Sequence, residues 1–243
     1  MRDLRGKRYW LVGASEGLGV ALARKMAEAG AQLVLSARQQ DRLQALADTL
    51  PGEAVVVALD VSDPASVTGA ARVVGDVDGV IYLAAAYWPM KAKAIDAEQA
   101  AVMVDVNLTG AMRVLAQVIP GMVARGAGHI VLTGSLAAFR GLPGAVGYAA
   151  SKAGLQSLAE TLRLDLKGTG VDVQIGHPGF IRTRLTDKND FAMPALMEPD
   201  QAATHMMRLI RGRRFQYSFP WGFSRIFRIA RLLPDWIFFR LFA

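Results

Sequence analysis

A short apolar segment, a glycine-rich turn and a helical segment follow one another near the N-terminus. The apolar segment runs from Arg8 to Val12, glycines then occupy positions 13, 17 and 19, and the helical pattern ends at Gly30. Glycines permit a tight turn and let the backbone approach a pyrophosphate, whose charge is met by free N–H groups at the helix N-terminus. This order of elements predicts an α/β sheet that begins with a dinucleotide-binding unit.

Strand-like and helix-like segments alternate along the rest of the chain. The strand-like segments after the first are residues 32–36, 53–60, 79–87, 129–135, 171–179 and 215–219. Such alternation predicts a parallel sheet with helices on both faces. A chain of 243 residues, 52% of them hydrophobic, can bury a large core, and α/β folds of this size are commonly one domain. We therefore predict a dinucleotide-binding catalytic domain over residues 1–218 and a tail over residues 219–243.

Composition and charge exclude several classes of protein. The chain has no cysteine and three scattered histidines, so neither a disulfide framework nor a metal site is predicted. The first residues do not resemble a signal peptide, and no uninterrupted apolar segment reaches the ~18 residues of a membrane span, which predicts a cytoplasmic protein. The formal net charge of +7 arises between His205 and Ala243, which hold eight arginines and one acid. Because this excess lies in a tail, no nucleic-acid partner is predicted.

Tyr148 and Lys152 are candidates for acid–base chemistry. They are four residues apart at the start of a predicted helix, so they lie on one face, one turn apart. A lysine ammonium at that distance is expected to favour the phenolate and to lower the pKa of the phenol from about 10. Ser135 follows a predicted strand, and a loop with several glycines can carry it back to the tyrosine. Its hydroxyl would then hydrogen-bond the same substrate oxygen.

Ser135, Tyr148 and Lys152 at this spacing resemble the catalytic signature of the short-chain dehydrogenase/reductase family. The Gly-x-x-x-Gly-x-Gly turn resembles the cofactor loop of the same family, although Val12 stands where the family most often has threonine. The resemblance covers roughly Lys7 to Ser218. It implies a single-domain, Rossmann-type, doubly wound sheet of seven parallel strands in the order 3-2-1-4-5-6-7. It also implies a homo-oligomer, a dimer or tetramer, that pairs through two long central helices.

Other functional positions of the family fall on residues of this chain. Asn107 matches a fourth catalytic residue, which would hold its helix open and position a water beside the active lysine. Where the family usually has Asn-Asn-Ala-Gly after the fourth strand, this chain has Tyr82-Leu83-Ala84-Ala85, so only small residues persist at the last two positions. The positions assigned to cofactor binding are Gly13, Ser15, Glu16, Gly17, Leu18, Gly19, Arg38, Asp60, Val61, Ala84, Ala85, Tyr148, Lys152, Pro178, Gly179, Ile181 and Thr183.

The end of the second strand distinguishes the two nicotinamide cofactors. An acidic residue there would bind a ribose 2′-hydroxyl, whereas an arginine accommodates a 2′-phosphate. The residues are Ser36, Ala37 and Arg38, so NADP(H) is the predicted cofactor, with Ser15 as a second ligand of the phosphate. The alternative is that Arg38 is a solvated residue at the start of a helix.

Residues 184–199 form a segment of mixed, loop-like composition after the sixth strand. Its apolar members are Phe191, Met193, Leu196 and Met197. A segment of this kind is predicted to be a lid over the substrate, with these side chains as an apolar lining.

The tail, residues 219–243, combines aromatic residues with arginines at positions 225, 228 and 231, and Pro234 divides it in two. The arginines follow one face of a predicted helix, and the residues that cover another are Phe223, Ile226, Phe227, Ala230 and Leu233. Basic, aromatic amphipathic helices lie in the membrane interface, so we predict peripheral contact with the inner leaflet and a lipophilic substrate. Packing on a partner subunit or over the substrate cleft is the alternative.

These features predict an NADP(H)-dependent oxidoreductase that interconverts a ketone or aldehyde with its alcohol. In the reducing direction Ser135 and Tyr148 would polarise the carbonyl, Tyr148 would donate the proton, and Lys152 would also hold the ribose hydroxyls. Epimerase or dehydratase chemistry on a related fold usually needs a longer C-terminal domain. A non-catalytic NADP(H)-binding module with a membrane- or partner-binding tail is the other alternative, against which the intact catalytic set argues.

Overall fold

The computed structural model describes residues 1–242, which form a seven-stranded parallel sheet in the order β3-β2-β1-β4-β5-β6-β7. The strands are β1 Arg8–Val12, β2 Gln32–Ala37, β3 Ala54–Ala58, β4 Gly79–Tyr82, β5 Gly128–Thr133, β6 Val171–Pro178 and β7 Gln216–Phe219. The helices are α1 Gly17–Glu28, α2 Gln40–Ala47, α3 Pro64–Val74, α4 Ala97–Val104, α5 Gly110–Ala124, α6 Val146–Asp165, α7 Pro199–Arg211, α8 Trp221–Ala230 and α9 Asp235–Phe242. The predicted fold class and strand order are confirmed.

Helices cover both faces of the sheet because the central strands are apolar on both sides. Successive residues of a strand point to opposite faces, so Tyr9 and Trp10 of β1 enter different clusters. Tyr9 joins the cluster that contains Met26 of α1 and Met206 of α7. Trp10 joins the cluster on the other face, which contains Val114 of α5. This is the doubly wound arrangement.

The carboxyl ends of the strands meet at one edge of the sheet. Backbone hydrogen bonds hold the segments that leave them, since Gly13 N donates to Ser36 O at 2.7 Å and Ala84 N to Val12 O at 2.9 Å. At this edge β1 lies between β2 and β4, which is where the order of the strands reverses. Ligands of open α/β sheets bind at such a switch point.

Most strand boundaries differ from the predicted ones by one or two residues, and the fourth strand differs most. It was predicted over residues 79–87 but ends at Tyr82, where its ladders with β1 and β5 both end. Helix α6 begins at Val146, ahead of Tyr148. A π-helical segment, Asp105–Thr109, joins α4 to α5 and carries Asn107.

The continuous helical region Ala97–Ala124 is long enough for a membrane span and has a mean hydropathy of 1.4. Its inner side belongs to the core, since Met103, Val114 and Leu115 are buried there. The core helix of a globular fold meets the same criteria of length and composition, so they do not by themselves make this region a membrane span.

The tail forms α8 and α9, which are separated by the predicted break at Pro234. The ring of Phe223 packs 5.9 Å from that of Phe180, and Ala230 and Phe238 are buried. Much of the apolar face that was predicted to contact a membrane therefore packs on the rest of the fold, because the segment after β6 offers it an aromatic surface. Ile226 of that face stays exposed.

Candidate active site

Tyr148, Ser135 and Lys152 lie together at the carboxyl edge of the sheet. Tyr148 is in the first turn of α6, and Lys152, one turn later, is 2% exposed with its Nζ donating to Thr133 O at 2.8 Å. Nζ is 5.7 Å from the centre of the Tyr148 ring. Ser135 follows β5 and caps a short 3-10 helix, Leu136–Ala138, with its side chain. The three residues singled out in the sequence thus meet in one place.

Burial controls the protonation of these side chains. It raises the pKa of Tyr148 to about 12, an effect that the nearby Ser135 hydroxyl opposes, and it lowers the pKa of Lys152 to about 8. The expectation that Lys152 would lower the pKa of Tyr148 is wrong for this arrangement. The cost of burying a phenolate outweighs the attraction of an ammonium that faces the Thr133 carbonyl. Tyr148 is therefore protonated at neutral pH.

Asn107 is fully buried, and all its amide atoms have partners. Oδ1 accepts from Ala86 N at 2.7 Å, and Nδ2 donates to Ala86 O at 3.0 Å and to Ser151 Oγ at 2.9 Å. Ser151 Oγ in turn donates to the backbone oxygen of Tyr148 at 2.8 Å. Asn107 thus ties the loop after β4 to the helix that carries the tyrosine.

Replacing Asn107 by alanine is expected to lower the free energy of unfolding by about 2–3 kcal/mol, because the buried N–H and C=O groups of Ala86 would lose their partners. Urea denaturation followed by circular dichroism measures the change. Replacing the exposed Gln40 by alanine is the control, with an expected change below about 0.5 kcal/mol. Equal stability of the two variants would contradict the bracing role.

The glycine loop is packed too closely for side chains at two of its positions. A Cβ at Gly13, where φ is +99°, would lie 2.4 Å from Ala84 N, and one at Gly19 would lie 2.2 Å from Gly13 O. A Cβ at Gly17 would meet the Thr183 side chain at 2.7 Å, so the loop and the segment after β6 are neighbours. Glu16, at the N-cap of α1, makes no side-chain hydrogen bond to the helix. The first N–H groups of α1 are thus left for an anion.

Arg38 is exposed just after β2, beside Asp60. Burial would raise the pKa of Asp60, but hydrogen bonds from Ser62 and the charge of Arg38 hold it below its usual value. Asp60 Oδ1 accepts from Ser62 N at 2.9 Å. Arg38 itself forms no ion pair within the described part of the chain. Its guanidinium is accessible at the end of the strand where a 2′-phosphate would lie.

The remaining predicted cofactor positions surround the same edge. Ser15, Ala84, Ala85, Gly179 and Thr183 are half-buried there, and Leu18, Val61, Pro178 and Ile181 are buried. Glu16 accepts from Arg42 at 3.3 Å and from Arg184, the first lid residue, at 3.2 Å. The cofactor loop and the predicted lid are therefore joined by a salt bridge, which sequence reasoning did not find.

The predicted lid, residues 184–199, contacts the loop after β4. Tyr87 Oη donates to Asn189 Oδ1 at 2.7 Å, and Lys188 Nζ donates to Tyr87 O at 2.8 Å and lies 4.1 Å from the centre of the Trp88 ring. The Tyr87 ring also meets that of Tyr148 edge-on at 4.9 Å. Sequence analysis missed Tyr87 and Trp88, although two aromatic residues just beyond a strand end were the available signal. These contacts hold the predicted lid against the loop beside Tyr148.

The apolar residues predicted to line the lid differ in burial and in the residues that they contact. Phe191 is exposed over 47% of its surface and packs edge-on against Phe180, with ring centres 5.9 Å apart. Met197 is buried in the core and pairs through its backbone with Ile181. Met197 thus anchors the end of the lid and does not line a cleft.

His177, in β6, is a further residue that sequence reasoning missed. It is fully buried, and its Nδ1 lies 3.1 Å from the backbone oxygen of Ser135. Because a carbonyl oxygen only accepts, Nδ1 carries the proton. Burial lowers the pKa of His177 to about 4, so the ring is neutral at physiological pH. The imidazole therefore holds the backbone of Ser135 in place.

Several known proteins are similar to this chain in fold and in sequence. The family model described as short chain dehydrogenase matches residues 7–193. An uncharacterized oxidoreductase of Myxococcus xanthus is 38% identical over 246 residues, covering 98% of this chain and 97% of that protein. The ketoacyl reductase HetN of a Nostoc species is 30% identical over 224 residues, covering 88% and 78%. A solved short chain dehydrogenase from Burkholderia cenocepacia, in complex with NADP, has a TM-score of 0.88 at 23% identity over all of both chains. The chain therefore belongs to the short-chain dehydrogenase/reductase family of nicotinamide-dependent oxidoreductases.

Proposed function

We propose that this protein is an NADP(H)-dependent oxidoreductase that interconverts a ketone or aldehyde with its alcohol. The observation that carries the proposal is the protonated Tyr148 beside Ser135 and Lys152, at the same sheet edge as the glycine loop. A phenol in this state is the proton donor that carbonyl reduction requires.

The residues at the cofactor edge fit NADP(H). The uncapped N-terminus of α1 suits a pyrophosphate, and the accessible Arg38 suits a 2′-phosphate. The NADP complex of a protein with the same fold supports this choice. When bound, the nicotinamide supplies the hydride.

Each side chain of the site would have its own role in the reaction. The hydroxyls of Ser135 and Tyr148 would donate hydrogen bonds to the carbonyl oxygen and polarise the carbonyl. Tyr148 would release its proton to that oxygen as the alcohol forms. Lys152 would stabilise the phenolate left behind and hold the ribose hydroxyls of the cofactor. Asn107 keeps the helix of Tyr148 attached to the β4 loop and would support a water-mediated path for the returning proton.

An apolar carbonyl compound is the substrate class that suits the cleft. Aromatic side chains from three segments meet around Tyr148 and the lid, namely Tyr87, Trp88, Phe180, Phe191 and Phe223. Apolar lining of this kind favours burial of hydrocarbon.

Oxidation of NADPH against a panel of ketones and aldehydes tests the proposal, with straight-chain aldehydes of increasing length as the main series. We expect kcat/KM to rise with chain length and to be higher with NADPH than with NADH. Tight NADPH binding without turnover of any panel member would favour the non-catalytic binding module instead.

We also propose a cytoplasmic homo-oligomer that pairs through the long helices α5 and α6. Exposed apolar side chains on these helices, Met112, Val123 and Val146, support this arrangement. Light scattering coupled to size-exclusion chromatography tests it, and a monomer at micromolar concentration would contradict it.

A further inference from the structure

The outward surface of the tail concentrates exposed apolar side chains. Of the seventeen large hydrophobic residues exposed among residues 1–242, seven lie between Trp221 and Leu241. We call the tail's exposed apolar and basic side chains the outer face. Its most exposed apolar members are Leu232, at 82%, and Trp236, at 72%. Single exposed hydrophobic residues are ordinary, but a cluster of this density marks an interaction surface.

The outer face is also cationic. Arg225 and Arg228 of α8, Arg231 in the turn after it and Arg240 of α9 are exposed, and none of them forms an ion pair within residues 1–242. The single acid of the tail, Asp235, is paired with Arg140 of the catalytic domain. Arg225 lies over the Trp221 ring, 4.6 Å from its centre. Aromatic and guanidinium groups therefore occur together on a surface whose one carboxylate is already paired.

The side of the tail opposite the outer face is held against residues 1–218 by several contacts, so the outer face has a defined orientation. Arg140 donates to Ala230 O at 3.0 Å and to Leu233 O at 2.6 Å, and its guanidinium lies 4.0 Å from the centre of the Phe238 ring. A Cβ at Gly179 would lie 3.3 Å from Phe223, which shows how closely α8 approaches the segment after β6. The tail is thus a platform beside the rim of the active site.

We propose that the outer face docks on an anionic lipid bilayer. Tryptophan side chains favour the membrane interface, apolar side chains enter the acyl boundary, and arginines are attracted to anionic headgroups. A second copy of the chain fits less well, because a two-fold contact through this face would set the four arginines against the same four arginines. The positive charge of the outer face therefore favours anionic lipid over a second copy of the chain as the partner.

Vesicle flotation of the full-length protein tests the proposal, with phosphatidylcholine vesicles that contain or lack phosphatidylglycerol. We expect binding only to the anionic vesicles and release at high salt. The double variant Arg225→Gln/Arg231→Gln is expected to bind about 30-fold more weakly, since each arginine near an anionic surface contributes about fivefold. Leu232→Ser/Trp236→Ser is expected to weaken binding about tenfold or more.

Two controls carry matched changes at positions away from the outer face. Arg213→Gln/Arg214→Gln removes the same charge from residues that precede β7, at the opposite end of that strand from the tail. Val73→Ser changes an exposed apolar residue of α3. Both controls should float like the parent protein, and all variants should keep NADPH-dependent reduction of a water-soluble aldehyde without vesicles, which separates docking from the proposed chemistry.

Three outcomes would overturn the docking proposal. One is equal flotation of the outer-face variants and the parent. Another is an equal loss of binding in Arg213→Gln/Arg214→Gln, which would assign the effect to net charge alone. The third is a parent dimer that Leu232→Ser/Trp236→Ser converts to a monomer, which would identify a second copy as the partner of this face.

Discussion

Replacing Tyr148 by phenylalanine is expected to lower kcat for carbonyl reduction by about 10³-fold, within the range that general acid catalysis contributes. The substitution deletes one hydroxyl and keeps the ring that packs edge-on against Tyr87 at 4.9 Å. Without that hydroxyl the site has no group to protonate the substrate oxygen, because Lys152 Nζ is engaged with Thr133 O. The Kd for NADPH should change by less than about threefold, since the phenol contributes little to holding the cofactor.

Stopped-flow measurement of NADPH oxidation and fluorescence titration of NADPH separate the two effects. Tyr87→Phe is the matched control, because it removes a hydroxyl from the adjacent ring, where the group serves the lid contact with Asn189 at 2.7 Å. We expect that control to lose less than about tenfold in kcat. A Tyr148→Phe variant that retains the activity of Tyr87→Phe would remove Tyr148 from the mechanism.

The fold could be predicted because its signals are local. The glycine spacing, the apolar strands and the alternation with helical segments are readable within windows of a few residues. The strand order came from the family resemblance, and the structure confirms it. The end of β4 could not be read in this way. The apolar run continues to Tyr87, but the ladders of β4 with β1 and with β5 both end at Tyr82.

The protonation state of Tyr148 could not be predicted from sequence spacing. A separation of four positions places Tyr148 and Lys152 on one face of α6, but the direction of the shift in the tyrosine pKa depends on burial and on where Nζ points. Both are tertiary facts, set by the lid and by the Thr133 carbonyl of β5. The spacing therefore identified the residues while leading to the wrong sign for the shift.

The orientation of the tail was also beyond sequence reasoning. Apolar residues occur around most of α8 and α9, so the pattern did not decide which of them face the protein. The deciding contacts come from distant parts of the chain, with Arg140 bonding to Ala230, 90 positions away, and to Leu233, 93 positions away. The structure divides one apolar segment into a packed side and an exposed side, a division that periodicity alone cannot supply.

Replacing Arg38 by aspartate is expected to reverse the cofactor preference. The ratio of kcat/KM for NADPH to that for NADH should fall by about 10²-fold or more. The change removes a charge-assisted contact with the 2′-phosphate and puts a like charge in its place, and each effect is large at a phosphate site. The new carboxylate can also accept hydrogen bonds from the ribose 2′-hydroxyl of NADH, as acidic residues at this position do.

The surroundings of Arg38 allow an effect on cofactor preference to be separated from an effect on stability. Arg38 forms no ion pair in the described part of the chain, so its loss breaks no bridge, and the free energy of unfolding should change by less than about 1 kcal/mol. The pKa of Asp60 should rise, because a positive neighbour that helps to depress it becomes negative. Arg213→Asp, which makes the same charge change on an exposed residue before β7, is the control for net charge. Fluorescence titration with NADPH and NADH measures the cofactor preference of both variants. An unchanged preference in Arg38→Asp, or an equal shift in Arg213→Asp, would mean that Arg38 does not bind the 2′-phosphate.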